Sequence, residues 1–225
     1  EYQLCDGIIS IARRLGLEVV AEAQIAIPAT WPRICGLDFG WDHPTAAVWM
    51  AWDRDNDVVH VYDCYRVKEA TPLIHSVAIK ARGEWIPVAW PHDGLQHDKG
   101  SGEALANQYR KHGVKMLKDK ATHPPDTKAG EKEGEGGNGV EAGLMDMLDR
   151  MQTGRLKVAK HLNDWFEEFR LYHREDGKVV KLNDDLMSAT RYGLMMLRHA
   201  KVQAVPQRRP TPGHQITDRA TGVLG

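Results

Sequence analysis

Aspartate recurs in three separated stretches whose surroundings suit chemistry: Gly36-Leu37-Asp38-Phe39-Gly40, Pro91-His92-Asp93-Gly94 and Asn183-Asp184-Asp185-Leu186. Each places a carboxylate where an expected strand or helix meets a loop. A hard divalent cation such as Mg²⁺ takes oxygen ligands, and carboxylates this far apart in sequence can surround one only if a fold gathers them. The chemistry such a site would perform is metal-assisted phosphodiester cleavage, with a metal-bound water as nucleophile. The chain offers no convincing Ser/His/Asp or Cys/His arrangement as a side-chain alternative. Taken singly, each aspartate has a plainer role. Asp38 and Asp93 could accept backbone hydrogen bonds in turns, and Asp184 or Asp185 could complement a helix dipole, worth about 0.3–1 kcal/mol. Their combination at element ends, beside glycine or small residues that let a substrate backbone approach, favours the site.

The elements that must position these residues can be read from pattern. Residues 33–40, 45–53 and 58–67 are rich in Val, Ile, Trp, Tyr and Cys, and Asp53-Arg54-Asp55-Asn56-Asp57 forms a turn signal between the last two. They read as three consecutive antiparallel strands. A helix is expected over 71–85, opened by Thr71-Pro72, then a short buried strand over 86–90 that delivers Asp93, a helix over 102–112 and a strand over 114–117. The class is therefore α/β, with a mixed central sheet flanked by helices. Residues 118–139 are polar, charged and dense in Gly and Pro, and read as a mobile flap at the edge of the site. Helices follow over 140–151 and 162–171, a strand over 156–158, a hairpin turning at Glu175-Asp176-Gly177-Lys178, and a last helix over 184–199.

Bulk properties set limits. The 225 residues, 42% of them hydrophobic, suffice for one medium domain plus tails, and the formal net charge of −1 is not that of a simple polyanion-binding cation. Cys5, Cys35 and Cys64 form no CxxC pair and read as reduced thiols. The 11 histidines include no HExxH and no fitting pair beside Cys, so scattered surface positions are the expectation. The longest apolar run is too short to span a bilayer, and no secretory signal opens the chain, which points to a soluble intracellular protein without a membrane partner. Residues 2–17 have helical periodicity. Because the chain starts at Glu1 and not Met, a piece of a longer protein is suggested. No P-loop GxxxxGK[ST] occurs, so ATP-driven work would reside elsewhere.

The three acidic stretches, the helix Asn183-Asp184-Asp185-Leu186-Met187-Ser188-Ala189-Thr190-Arg191-Tyr192-Gly193, and the pair Gly139-Val140-Glu141-Ala142-Gly143 and Gly154-Arg155-Leu156-Lys157-Val158 together carry a resemblance. Over residues 33–200 the chain resembles the nuclease domain of phage terminase large subunits, nearest to the headful-packaging enzymes of short-tailed enterobacterial phages. The resemblance implies an RNase H-like fold and a metal-dependent endonuclease that cuts concatemeric double-stranded viral DNA without marked sequence preference. It implies an N-terminal ATPase domain, with residues 1–32 as the linker and helix from it, 33–200 as the nuclease domain and 201–225 as a flexible tail. It also implies contacts with a portal protein and a small terminase subunit through the full-length protein, in the host cytoplasm at the procapsid portal. Many members carry Asp-His-x-x-Asp where this chain has Asp184-Asp185-Leu186-Met187-Ser188, so Ser188 replaces a ligand type and Asp185 stands in the His place.

The site assignment is then Asp38, Asp93 and Asp185 as catalytic residues, with Asp38, Asp93, Asp185 and, second to it, Asp184 as ligands of two Mg²⁺ or Mn²⁺ ions. Asp38 is expected to bridge ions about 3.5–4 Å apart. Among neighbouring residues, Trp41 is the one tryptophan expected outside the core, and His43, His92 and His97 are candidates for proton transfer or for orienting a ligand. Lys99, Arg110, Lys111, Lys115, Lys118 and Lys120 could meet phosphates, though a solvated surface is their commoner role. Two other readings stay open: a different RNase H-like nuclease of the resolvase or transposase type, for which long basic runs and a final catalytic Glu are not evident, and a non-catalytic module docking on the portal.

Overall fold

The computed structural model describes residues 21–22, 26–95, 103–128, 130–133, 137–175, 178–179 and 183–204. The helix expected over 2–17, His97, Lys99 and the tail beyond 204 lie outside them. A two-residue strand β1 (Ala21–Glu22) precedes β2 (Arg33–Asp38), β3 (Thr45–Asp53) and β4 (Val58–Val67). Helix α1 (Pro72–Ala81), β5 (Val88–Ala89), a 3-10 turn (His92–Leu95) and α2 (Leu105–Lys111) follow. Then come α3 (Val140–Gln152), β6 (Leu156–Ala159), α4 (Asn163–Leu171), the hairpin β7 (Arg174–Glu175) and β8 (Lys178–Val179), and α5 (Asp185–Met195), which ends in a 3-10 turn (Leu197–His199).

The main sheet runs in the order β1-β6-β4-β3-β2-β5. Strands β2, β3 and β4 are the expected antiparallel meander, with Asp38 opposite Ala46 and Thr45 opposite Val67. Asp53 holds the β3–β4 turn by accepting the backbone N–H groups of Asp55 and Asn56. The pairs β2–β5, β4–β6 and β6–β1 are parallel, so the sheet is mixed. Period-two alternation along β2 and β3 divides the core. Ile34, Ala46, Val48 and Met50 join one cluster with residues of α3, α4 and α5, while Cys35, Leu37, Phe39, Ala47 and Trp49 join another with Ile79 of α1 and Ala106 and Tyr109 of α2. Burying each large apolar side chain contributes roughly 1.5–3 kcal/mol, so both helical layers are fastened to the sheet.

Several expected boundaries contract. The first helix stops at Ala81 because Arg82 and Gly83 turn the chain back, their N–H groups donating to Ile79 and Lys80 carbonyls, with Gly83 at φ +138°. The strand expected over 114–117 reduces to one parallel bridge, Val88 with Met116. Within segment 118–139, the described residues are anchored to the body of the fold at several points. Ala121 and Thr122 are buried, Ala121 N–H donates to the Trp90 carbonyl at 2.7 Å, and Glu133 pairs with Arg198 at 2.6 Å and His199 at 3.2 Å. Its few anchors lie far apart in sequence, which composition cannot reveal. Among the described residues no helix is long and apolar enough to cross a membrane.

Candidate functional site

Helix α5 is the element around which the site forms. Ten of its eleven residues are buried, because it lies between the sheet and the neighbouring helices α3 and α4. It crosses β2 so closely that a Cβ at Gly36 would stand 1.9 Å from the Ala189 carbonyl oxygen. That contact sets the register of helix against strand. From Gly36 to Asp38 the strand advances about 6.6 Å on the same face, and from Ala189 back to Asp185 the helix runs about 6 Å. The two steps are matched, so Asp38 faces the start of α5. Asn183, at φ +54°, adopts the left-handed conformation that asparagine tolerates and swings the chain into the helix. Strand β5, parallel to β2, ends at the same edge, and the turn after it supplies Asp93.

The carboxylates of Asp38, Asp93, Asp184 and Asp185 line one cleft of about 390 Å³. All four sequence-assigned positions are thus brought together. Burial pushes the Asp38 carboxyl well above the usual range, and the charges of Asp185, Asp184 and Asp93 raise it further, against the opposing pull of Arg191. Asp185 is 4% exposed and its Oδ1 meets His43 Nδ1 at 2.8 Å. Asp184 Oδ2 accepts the Ser188 hydroxyl at 3.4 Å. Among the described residues no three His, Cys, Asp or Glu side chains are drawn together tightly enough to chelate an ion. Like charges held this close disfavour one another's ionised form, as the direction of the Asp38 shift reflects. The donor set itself, hard oxygens from three separate elements, fits Mg²⁺ or Mn²⁺ and not a soft metal.

Sequence reasoning missed the positive side of the cleft. Lys68, at the end of β4, and Arg191, on α5, line it together with Tyr172 and Tyr192. Arg191 is 5% exposed, with its guanidinium 4.4 Å from the Tyr192 ring centre. Its aliphatic stem runs over Gly143 of α3, where a Cβ would meet Arg191 Cγ at 2.7 Å. Helical spacing from Asp184 through Ser188 to Arg191 and Tyr192 was the available signal, since these positions share one face. Lys68 carried no such signal. The basic residues named from sequence behave differently. Arg110 turns inward to the Leu117 carbonyl at 2.7 Å and over Trp90, Lys111 pairs with Glu103, and Lys120 meets His92 Nδ1 at 2.9 Å.

Other expectations divide. Trp41 is 55% exposed beside the cleft, whereas Trp49, Trp90 and Trp165 are core. His43 reaches a carboxylate, while His92 does not line the cleft. Gly36 and Gly94 do not open space for a substrate: Gly36 admits α5, and Gly94 is packed against Trp90 and Phe39.

Comparison with known proteins places these features in a wider set. A family model described as the terminase RNaseH-like domain matches residues 35–197. The large terminase subunit of Salmonella phage P22 is 48% identical over 166 residues, which is 73% of this chain and 31% of that protein. The chain thus spans about a third of the length of the curated relatives it matches. The solved P22 large terminase nuclease domain superposes with a TM-score of 0.72 at 43% identity, covering 82% of this chain and 90% of that one. The nuclease domain of the bacteriophage SPP1 large terminase, solved with bound Mn, shares the fold at a TM-score of 0.54 and 16% identity, over 81% and 97% of the two chains.

Proposed function

Because this chain belongs to the phage terminase large-subunit family and carries its RNase H-like nuclease domain, we propose that its acidic cleft cuts double-stranded DNA by metal-dependent phosphodiester hydrolysis. The observation that carries the reading is the convergence of Asp38, Asp93, Asp184 and Asp185 on one cleft, where each of the other three carboxylates raises the pKa of Asp38. Four carboxylates in so small a space are costly in the metal-free protein. A divalent cation relieves that cost, and a manganese-bound relative of the same fold supports Mg²⁺ or Mn²⁺ as the ion.

Asp38 lines the cleft with Asp93 and with the Asp184/Asp185 pair and feels the charge of all three, so it is the carboxylate that would be shared if two ions were bound. Asp93 would hold one and Asp185, with Asp184 second to it, the other. Divalent ions held by these residues would supply an activated water and neutralise charge on the leaving 3′ oxygen. His43 fixes the orientation of the Asp185 carboxylate through the 2.8 Å contact. Arg191 offsets part of the carboxylate charge from within the fold, and Lys68 at the exposed rim is placed to meet the phosphate backbone. In the full-length protein this domain would act on concatemeric DNA at the procapsid portal in the host cytoplasm, with the portal protein and small terminase subunit as partners. Residues 33–200 form the catalytic unit in this reading.

Plasmid nicking with Mn²⁺ tests it. Asp38→Ala, Asp93→Ala and Asp185→Ala should each cut at least about 100-fold more slowly than the parent, a greater loss than an outer-sphere partner brings. A smaller loss in Asp184→Ala would rank it second as a ligand. Equal cutting by the parent and all four variants overturns the assignment.

A further inference from the structure

The first turn of α5 is capped by a residue that does not belong to it. Asp184 occupies the N-cap position, yet its side chain makes no capping hydrogen bond. An N-cap aspartate ordinarily accepts the N–H of the second or third helical residue. Here the second is Leu186, and its N–H donates at 2.6 Å to Oε2 of Glu168, on α4. The other oxygen of that carboxylate accepts Arg66 Nη1 at 2.8 Å from the end of β4. Glu168 is 0% exposed, so its two oxygens are committed and no water competes for them.

We propose that Glu168, held by Arg66, is a positioning residue of the carboxylate cleft: by taking the Leu186 N–H, it releases Asp184 from capping and fixes Asp185 at the cleft wall. The inference rests on the metal-site reading given above, but its physical content is separable from it. A helix N-terminus with an aspartate at its cap draws that carboxylate onto its own N–H groups. A carboxylate spent in this way points along the helix and accepts one hydrogen bond fewer from, or gives one bond fewer to, anything in the cleft. Supplying the cap from α4 removes the competition. It also ties together α4, α5 and β4 at the residue next to Asp185, and so limits the drift that would separate Asp185 from Asp38.

The pair Arg66 and Glu168 can be removed without leaving a buried charge by the double substitution Arg66→Met with Glu168→Leu, since apolar replacements of a buried pair are commonly tolerated. Thermal unfolding of the metal-free protein is compared for the parent, Asp184→Ala, the double variant and the triple variant. In the parent background Asp184→Ala should leave Tm unchanged or raise it, because no cap is lost and a like charge is removed. In the double variant Asp184 takes over the Leu186 N–H, and Asp184→Ala should then lower Tm by about 2–4 °C, the shift a lost cap brings in a chain of this size. Mn²⁺ affinity of the double variant, followed by electron paramagnetic resonance of the free ion, should fall about 10-fold or more. If Asp184→Ala lowers Tm equally in both backgrounds, Asp184 is itself the cap and the proposal is overturned. Unchanged Mn²⁺ affinity in a folded double variant overturns it as well. A parent that binds no Mn²⁺ overturns the metal reading, and the Tm comparison then still decides whether Glu168 is the cap.

Discussion

Replacing Gly36 by alanine should pull the two halves of the carboxylate site apart. The added Cβ would lie 1.9 Å from the Ala189 carbonyl oxygen, 2.8 Å from the Gly193 nitrogen and 2.9 Å from the Ala189 carbonyl carbon. All three are backbone atoms, so no rotamer change relieves the clash. Ordinary contact begins at 3.4 Å against 1.9 Å for the added Cβ, so helix α5 must retreat by about 1.5 Å. The helix cannot retreat freely, because Thr190 accepts the Trp165 indole N–H at 2.9 Å and Leu186 donates to Glu168. Overpacking of this severity costs about 3 kcal/mol or more, a large share of a total stability of about 5–15 kcal/mol. Displacement of Asp184 and Asp185 relative to Asp38 by about 1 Å should slow cutting on the order of 100-fold even where the protein stays folded.

Gly193→Ala is the control on the same contact. Its Cβ would meet Met50 Cε at 2.0 Å and Sδ at 3.4 Å, and the Gly36 backbone nitrogen only at 3.3 Å. A flexible thioether tip can swing aside, so about 1–2 kcal/mol is expected, with far less effect on rate. Urea unfolding gives both stabilities, with the slope checking that the transition stays two-state, and Mn²⁺-dependent plasmid nicking below the transition gives the rates. The reasoning fails if Gly36→Ala loses under about 0.5 kcal/mol and cuts at the parent rate, or if Gly193→Ala proves the more damaging of the two.

Asp38→Asn should stabilise the metal-free protein at neutral pH. The folded pKa of Asp38 lies above its ordinary 3.8, so the folded state holds the proton more firmly than the unfolded state, and the contribution to stability is lost as pH rises through the folded value. The Tm advantage of the variant should therefore be greatest near pH 7 and close as pH falls towards 4, whereas added Mn²⁺ should raise the parent Tm more than that of the variant; a variant less stable than the metal-free parent at pH 7 contradicts this. Glu133 is held down to about 2 by its hydrogen bonds to Arg198, with His199 adding to them, so its hold on segment 118–133 is complete above about pH 4.5 and lost as pH falls through about 2. Glu133→Gln at neutral pH should speed tryptic cleavage after Lys128 and Lys132 while changing global stability by less than about 1 kcal/mol, as expected of a half-exposed pair; unchanged cleavage would show that the segment is held elsewhere.

Much of the architecture was written in local pattern. The meander of β2, β3 and β4 is legible because β-branched and aromatic runs alternate and Asp53 to Asp57 punctuate them, and both features act over a few residues. Helix α3 shows Leu144, Met147 and Met151 at helical spacing, and β7 and β8 pair Glu175 with Lys178, the two residues expected to flank the turn. Strand 114–117 failed because pairing depends on a partner: Met116 meets only Val88 of a two-residue strand. The anchoring of the polar segment was hidden for the opposite reason, since Glu133 pairs with Arg198, a residue 65 positions away.

The sequence by itself limited the candidate chemistry: aspartates at three element ends, with no convincing Ser/His/Asp or Cys/His arrangement beside them, suit oxygen-ligand metal chemistry. Tertiary structure decided what those aspartates are. Asp184 looks like a helix cap in sequence, and only the arrival of Glu168 from another helix relieves it of that role. Asp38 looks like a turn residue, and only the close passage of α5 over Gly36 sets it against Asp185. Arg191 and Lys68, the cations that line the same cleft, come from a buried helix face and a strand end that no local pattern connects. Hydrogen bonds and Coulomb forces act across space, while sequence periodicity records only what lies within a few residues along the chain.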